Sequence, residues 1–470
     1  MNYYFDEGKF EETFNVKKND MKSVDSVRLT HRADHCFKLF PYKASGKTQA
    51  PIVTELEDVV SGFFREITNK KTNQIEFEQL CNKVFEQIEI DEEDMEYFRD
   101  LLHGMFFKGD NFVATNLALY PYQISGNNKS VENLAHFLFS VFGVNSSDIE
   151  KIEETKRKYR FNVLEDIVIN AIEKNNVDEE IKTPYFNVKN DVSEKFRNDF
   201  YYMLEIGMTA LEDFANLFAI YYFYYVSQTC ITLDQFCTGK RENHVPFYYA
   251  LDWEKVSKNR MCCKEGWEKL QGSINHMFSH AITLEILNQT NDGNRMYDYI
   301  KLGEMAKTSS ENDCALAEQV TKARMTYCSY IGDYKQFDMI AEQVGSCETE
   351  KSIRKLYKCV EAQFAGTDRK RANQFFNEKF TEFCKSRWIK NRKKSGLVLN
   401  LTERDIIFLT KICLKNNEKL RLNELYKEYE YRGIYLDSTS KEFLQEFFTK
   451  LNLIDKKSDS GDAQYVKRIL

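Results

Sequence analysis

The stretch TERDIIFLTKICLKNNEKLRLNELYKEYEYRGIYLDSTSKEFLQEFFTKL, residues 402–451, decides the fold expected for the end of the chain. Thr402 and Asp405 stand at capping-box spacing and open a helix with Ile406, Ile407, Leu409, Cys413 and Leu414 on its apolar side. Asn423 is placed to cap a second helix, with Leu425, Tyr426 and Tyr429 inward and Gly433 as its stop. Thr439 and Glu442 repeat the capping box before a third helix whose apolar side is Phe443, Leu444, Phe447, Phe448 and Leu451. The segment Leu453–Lys457, the turn-forming Ser458–Asp462 and the β-prone Gln464–Ile469 then read as a hairpin. Three short helices followed by a hairpin is the order of a winged helix, expected here over 396–470.

Upstream of this module, Lys385–Ser395 holds six basic residues and no acid: Lys385, Arg387, Lys390, Arg392, Lys393 and Lys394. Charged and short of apolar residues, the run 385–395 is expected to be a basic linker. From Gly396 onward, 13 Lys and Arg face 12 Asp and Glu, so residues 385–470 carry +7. Against a net charge of −7, that leaves −14 for residues 1–384. A polyanion would meet the tail first. The outer face of the third helix carries Lys441, Glu442, Gln445, Glu446, Thr449 and Lys450. Its two acids would meet phosphates at a cost, because affinity for DNA comes chiefly from phosphate neutralisation. The DNA-contact candidates are therefore the six basic residues of 385–395 with Lys456, Lys457, Lys467 and Arg468 on the wing, and Gln445 as a possible base contact. The competing reading is a solvated linker before a protein-docking module.

The rest of the chain reads as helical. Gly and Pro number only 19 and 5 in 470 residues, too few turn formers for many short strands. Leu56, Val59, Val60, Phe63, Phe64 and Ile67 make an amphipathic stripe, and Phe77, Leu80, Cys81, Val84, Phe85 and Ile88 repeat it. A loop is expected over 111–127, with helices again at Ser130–Phe142 and Ser146–Lys156. Phe214–Leu233 is free of charge and long enough to cross a membrane. Tyr221, Tyr222, Tyr224 and Tyr225 would put four hydroxyls at mid-depth, so a buried central helix is expected and no membrane partner. Ala317–Val344, turning at Gly332-Asp333-Tyr334, suggests a helical hairpin without a second copy at a fixed period. The expected class is mainly α: a helical N-terminal domain (1–130) with an irregular lead-in, a central helical domain (131–384) with an aromatic-rich core helix, the linker, and the winged helix.

Motifs that suggest chemistry fall short of a centre. Gly46-Lys47-Thr48 resembles the end of a phosphate-binding loop, but Pro41, which has no amide hydrogen, stands where that loop needs its first Gly. His31, Asp34 and His35, and separately His276 and His280, have the one-turn spacing that can grip zinc. Neither pair has the Glu of a metalloprotease helix. Cys230, Cys237, His244, Cys262 and Cys263 contain no CxxC pair and read as structural thiols. Asp91, Glu92, Glu93 and Asp94 suit an acidic helix start. No catalytic residue, metal or cofactor is expected. Twelve Cys behind an N-terminus without a basic or apolar leader point to the reducing cytoplasm.

The runs Gly396–Asp405 and Lys457–Val466, with Phe40-Pro41-Tyr42 and Tyr249–Glu254, resemble the DptG family of bacterial DNA phosphorothioation-dependent restriction proteins. The resemblance implies a subunit of a defence complex that attacks DNA lacking the phosphorothioate mark, with DptF-like and DptH-like ATPase subunits as partners. It transfers no catalytic residues. The expectation is a non-catalytic subunit that docks these ATPases and touches the DNA backbone through its basic C-terminal region. The alternatives are a metal-dependent DNA nuclease subunit and a winged-helix DNA-binding regulator. Of these three, only the nuclease would be an enzyme.

Overall fold

The computed structural model describes residues 3–17, 26–43, 52–68, 70–71, 74–124, 128–143, 146–158, 162–173, 177–178, 182–291, 295–456 and 464–469. The fold is mainly helical, with short sheets. At its centre the charge-free run forms one helix, Leu211–Asp234, in which every residue of Phe214–Leu233 except Ile231 is buried. Its tyrosine hydroxyls all find partners, which is what permits their burial. Tyr221 donates to Asp199 at 2.7 Å, and Tyr222 pairs with the Tyr42 hydroxyl at 2.7 Å. Tyr224 accepts from Lys195 Nζ at 3.1 Å, and Tyr225 accepts from the Val188 amide at 2.9 Å. Among the described residues, no helix is long and apolar enough to cross a membrane.

Aromatic rings fill the space around this helix. Phe218 meets the edge of Phe63 at 4.8 Å, and Tyr222 meets Phe383 at 4.7 Å. The two N-terminal stripes form helices Glu57–Thr68 and Phe77–Phe85, as their spacing predicts. Gly62 lets Glu57–Thr68 approach Lys129–Phe142 closely; a Cβ there would stand 2.6 Å from Ala135 Cβ. The expected helices after the loop are Lys129–Phe142 and Ser146–Lys158. The loop itself contains a two-residue strand, Asn111–Phe112, and a 3-10 turn, Tyr120–Tyr122.

The hairpin expected within Ala317–Val344 is built differently. Helix Ser310–Ser329 pairs with Glu348–Gly366, and residues 330–347 between them are largely irregular. The sequence after Gly332 spaces its large apolar residues too sparsely for a helical face: Tyr334 and Phe337 are half-buried against the core, and Met339 and Val344 are exposed.

A four-stranded sheet joins body and tail. Strand Phe247–Leu251 lies between Leu397–Leu401 and Ile434–Leu436, parallel to both, and Ile389–Asn391 runs antiparallel on the outer side of Leu397–Leu401. The register sets Ala250 opposite Asn400 and Phe247 opposite Ile434. The segment read as a linker is thus the last turn of helix Lys370–Arg387, the strand Ile389–Asn391 and a 3-10 turn at Lys393–Ser395.

The tail holds three helices, Glu403–Leu414, Leu422–Tyr431 and Ser438–Lys450. An antiparallel sheet flanks them, in the order Ile454–Lys456, Gln464–Lys467, Lys419–Arg421. The Thr402–Asp405 capping box forms. The other two caps differ from expectation. Arg421, not Asn423, precedes the second helix, because strand Lys419–Arg421 runs directly into it. Asp437 caps the third helix by accepting from the Ser440 amide at 3.0 Å, while the Ser440 hydroxyl turns inward to Glu254.

Candidate functional site

The basic run was expected to offer six cations, and the structure occupies four of them. Lys385 pairs with Glu382 at 2.7 Å, and Lys390 with Asp252 at 2.7 Å. Arg387 bonds Asn216, stands 3.7 Å from Asp405 and lies over the Trp388 ring. Arg392 donates to the Leu251 carbonyl at 2.8 Å, the Glu254 carbonyl at 3.3 Å and the Asn400 side chain. It fastens the end of strand Phe247–Leu251. Of the six, Lys393 and Lys394 stand exposed and pair with no acid among the described residues, at the tip of the turn between strands Ile389–Asn391 and Leu397–Leu401. Positive φ at Lys393 (56°) and Gly396 (78°) makes that turn.

On the terminal hairpin, Arg468 is exposed and Lys467 half-buried. Neighbouring cations on the same sheet are engaged: Lys419 pairs with Asp455 at 2.9 Å, and Arg421 Nε bonds the Tyr465 hydroxyl at 3.2 Å. Lys456 closes its strand, and Lys457 lies outside the described residues. Gln445 is half-buried on the third helix, beside exposed Glu442 and Glu446. That helix therefore presents acids where a base-reading helix would meet phosphates. A cleft of about 300 Å³ opens beside Arg387 and Arg404, but Glu55, Glu57, Glu212 and Asp405 also line it, which makes it a poor seat for an anion.

The two histidine pairs have different fates. His31 and His35 are not helical; His31 Nε2 meets the Tyr327 hydroxyl at 3.0 Å. The backbone amides of His35, Cys36 and Phe37 donate to the Glu285 carboxylate at 3.1, 2.8 and 3.0 Å. Glu285 thus anchors the lead-in to helix Met277–Leu287. His276 and His280 do lie one turn apart at the start of that helix, and both reach Asp234, the last residue of the central helix. Asp234 Oδ1 stands 2.8 Å from His276 Nδ1 and 3.0 Å from His280 Nε2. Burial alone would raise the Asp234 carboxyl, but the bonds from the two rings hold it well below the usual carboxylate range. Sequence spacing gave no sign of Asp234, which is 42 residues from His276. All twelve cysteines are free, those of Cys230–Cys263 buried in the core as structural thiols.

No family model matches the chain, and no curated protein matches it.

Proposed function

We propose that the chain is a non-catalytic subunit of a bacterial phosphorothioation-dependent DNA restriction complex. Its tail is a winged helix that contacts the DNA backbone rather than reading bases, and its body docks DptF-like and DptH-like ATPase subunits. The defence assignment rests on the resemblance of Gly396–Asp405 and Lys457–Val466 to the DptG family. The winged-helix reading is supported by the order helix, strand, helix, strand, helix, strand, strand over 403–467, with Lys419–Arg421, Ile454–Lys456 and Gln464–Lys467 in one antiparallel sheet and Ile434–Leu436 paired instead with Phe247–Leu251.

The observation that carries the backbone-contact reading is the distribution of free charge. Among the described residues, exposed Lys393, Lys394 and Arg468 and half-buried Lys467 pair with no acid, while the exposed face of the third helix carries Glu442 and Glu446 beside the single cation Lys450. Cations on a turn and a wing neutralise phosphates without ordering base contacts. Because strand Phe247–Leu251 is built into the tail's sheet, a partner bound to the body is held in fixed relation to the DNA-facing turn.

Co-expression with the two ATPase subunits from the same host tests the assignment. A stable complex that co-elutes in size exclusion is expected, and it restricts DNA lacking the mark only when this chain is present. Elution of this chain alone, with restriction unchanged in its absence, would overturn it.

A further inference from the structure

The geometry points to a divalent transition-metal site of the zinc class formed by Asp234, His276 and His280. The three ligand atoms, Asp234 Oδ1, His276 Nδ1 and His280 Nε2, all lie within 4.8 Å of one another. The two carboxylate-to-imidazole distances are 2.8 and 3.0 Å. A tetrahedral ion about 2.1 Å from each donor sets adjacent ligands about 3.4 Å apart, so it seats against this set once the carboxylate draws back from each ring by about half an ångström. Two imidazoles and one carboxylate are a borderline donor set suited to Zn²⁺ or Co²⁺ rather than to Ca²⁺ or Mg²⁺.

Two further features match a metal centre. A ligating histidine needs a partner for its other ring nitrogen, which fixes the tautomer. His280 Nδ1 faces the Tyr299 hydroxyl at 3.1 Å, and the Tyr357 ring stacks on the imidazole at 4.6 Å. Exposure is graded as well: the His280 side chain is 1% exposed, Asp234 27% and His276 40%. An ion enters from the His276 side and keeps water in its remaining positions, the pattern of an open three-ligand site. A ligating imidazole carries its proton on the nitrogen away from the ion. For His280 that nitrogen is Nδ1, facing Tyr299. The site joins the end of the central helix to the start of helix Met277–Leu287, so an ion there clips two core elements together.

The second cluster of this kind, His35, Cys36 and Glu285, is a weaker candidate, because three backbone amides already occupy the Glu285 carboxylate.

The test is titration of the chelator-treated full chain with Co²⁺ and, separately, Zn²⁺. One saturable Co²⁺ site is expected, with ligand-field absorption and no thiolate charge-transfer band, together with a rise in melting temperature. His276→Ala removes both responses, and circular dichroism of this half-exposed variant checks that it folds. Tyr299→Phe weakens binding about 10- to 100-fold while leaving the absorption shape unchanged. Three results would overturn the site: no saturable binding, binding that survives both His276→Ala and Asp234→Asn, or a thiolate band lost in Cys36→Ser.

Discussion

Arg432 and Asp199, 233 residues apart, form a buried two-pronged ion pair, with Nε and Nη2 each 2.6 Å from a carboxylate oxygen. Each side chain is 1% exposed. Tyr221 donates to the same carboxylate at 2.7 Å, and Arg432 also meets Glu428 at 2.7 Å. Tail, central helix and helix Asn190–Ile206 thus meet at one carboxylate. Removing one partner strands a buried charge, whereas removing both does not. Arg432→Met or Asp199→Asn is expected to cost about 3–5 kcal/mol in urea unfolding. The Asp199→Leu/Arg432→Met double variant is expected to lose less than the sum of the single losses. Additive losses would mean that the pair is not coupled.

Gly433 follows Arg432 with φ of 80°, and a Cβ there would stand 2.5 Å from the Tyr224 ring. Both the backbone and the aromatic wall exclude a side chain. Gly433→Ala is expected to lower the melting temperature, with a loss of about 1–3 kcal/mol. An unchanged melting curve would show that Tyr224 yields.

Lys189 is fully buried, with Nζ donating to the Asn243 carbonyl at 2.9 Å. Burial pushes its ammonium down to about 8, against the opposing pull of Asp191. The unfolded chain therefore binds more protons than the folded chain between that value and the ordinary lysine range, so stability rises with pH across this window. Below it, the penalty for the buried charge is fully present. Lys189→Met is expected to be more stable than the parent at pH 7, by on the order of 1–3 kcal/mol, with the difference shrinking by pH 10. Urea midpoints at the two pH values measure it; a gap that widens with pH would contradict the sign.

Local signals carried far and stopped where partners are distant. The central helix is legible because Phe214–Leu233 holds no charge, and its four tyrosines mark it as protein core because each hydroxyl needs a partner. The Thr402 cap is legible because its partner, Asp405, is three residues away. Thr439 misleads because the Asp437 carboxylate is held by Arg260, 177 residues upstream, and takes the capping place. The basic run reads as a solvated linker because its acceptors, Asp252, Asp405 and the Leu251 carbonyl, come from other elements. Strand Phe247–Leu251 pairs in parallel with distant segments, for which no turn gives a signal. Asp234 was missed for the same reason: the packing of two helices, not spacing, brings it to His276 and His280.

The backbone-contact account is tested most directly by the salt dependence of DNA affinity in the assembled complex. The variant compared with the parent is Lys393→Ala/Lys394→Ala/Lys467→Ala/Arg468→Ala, and Lys385→Ala/Lys390→Ala, whose cations are already paired, serves as control. Each lost phosphate contact lowers the slope of log affinity against log salt by about 0.9. The account predicts a slope reduced by about 2–4 in the fourfold variant, equal weakening on unrelated sequences, and little change in the control. An unchanged slope and affinity in the fourfold variant would contradict it.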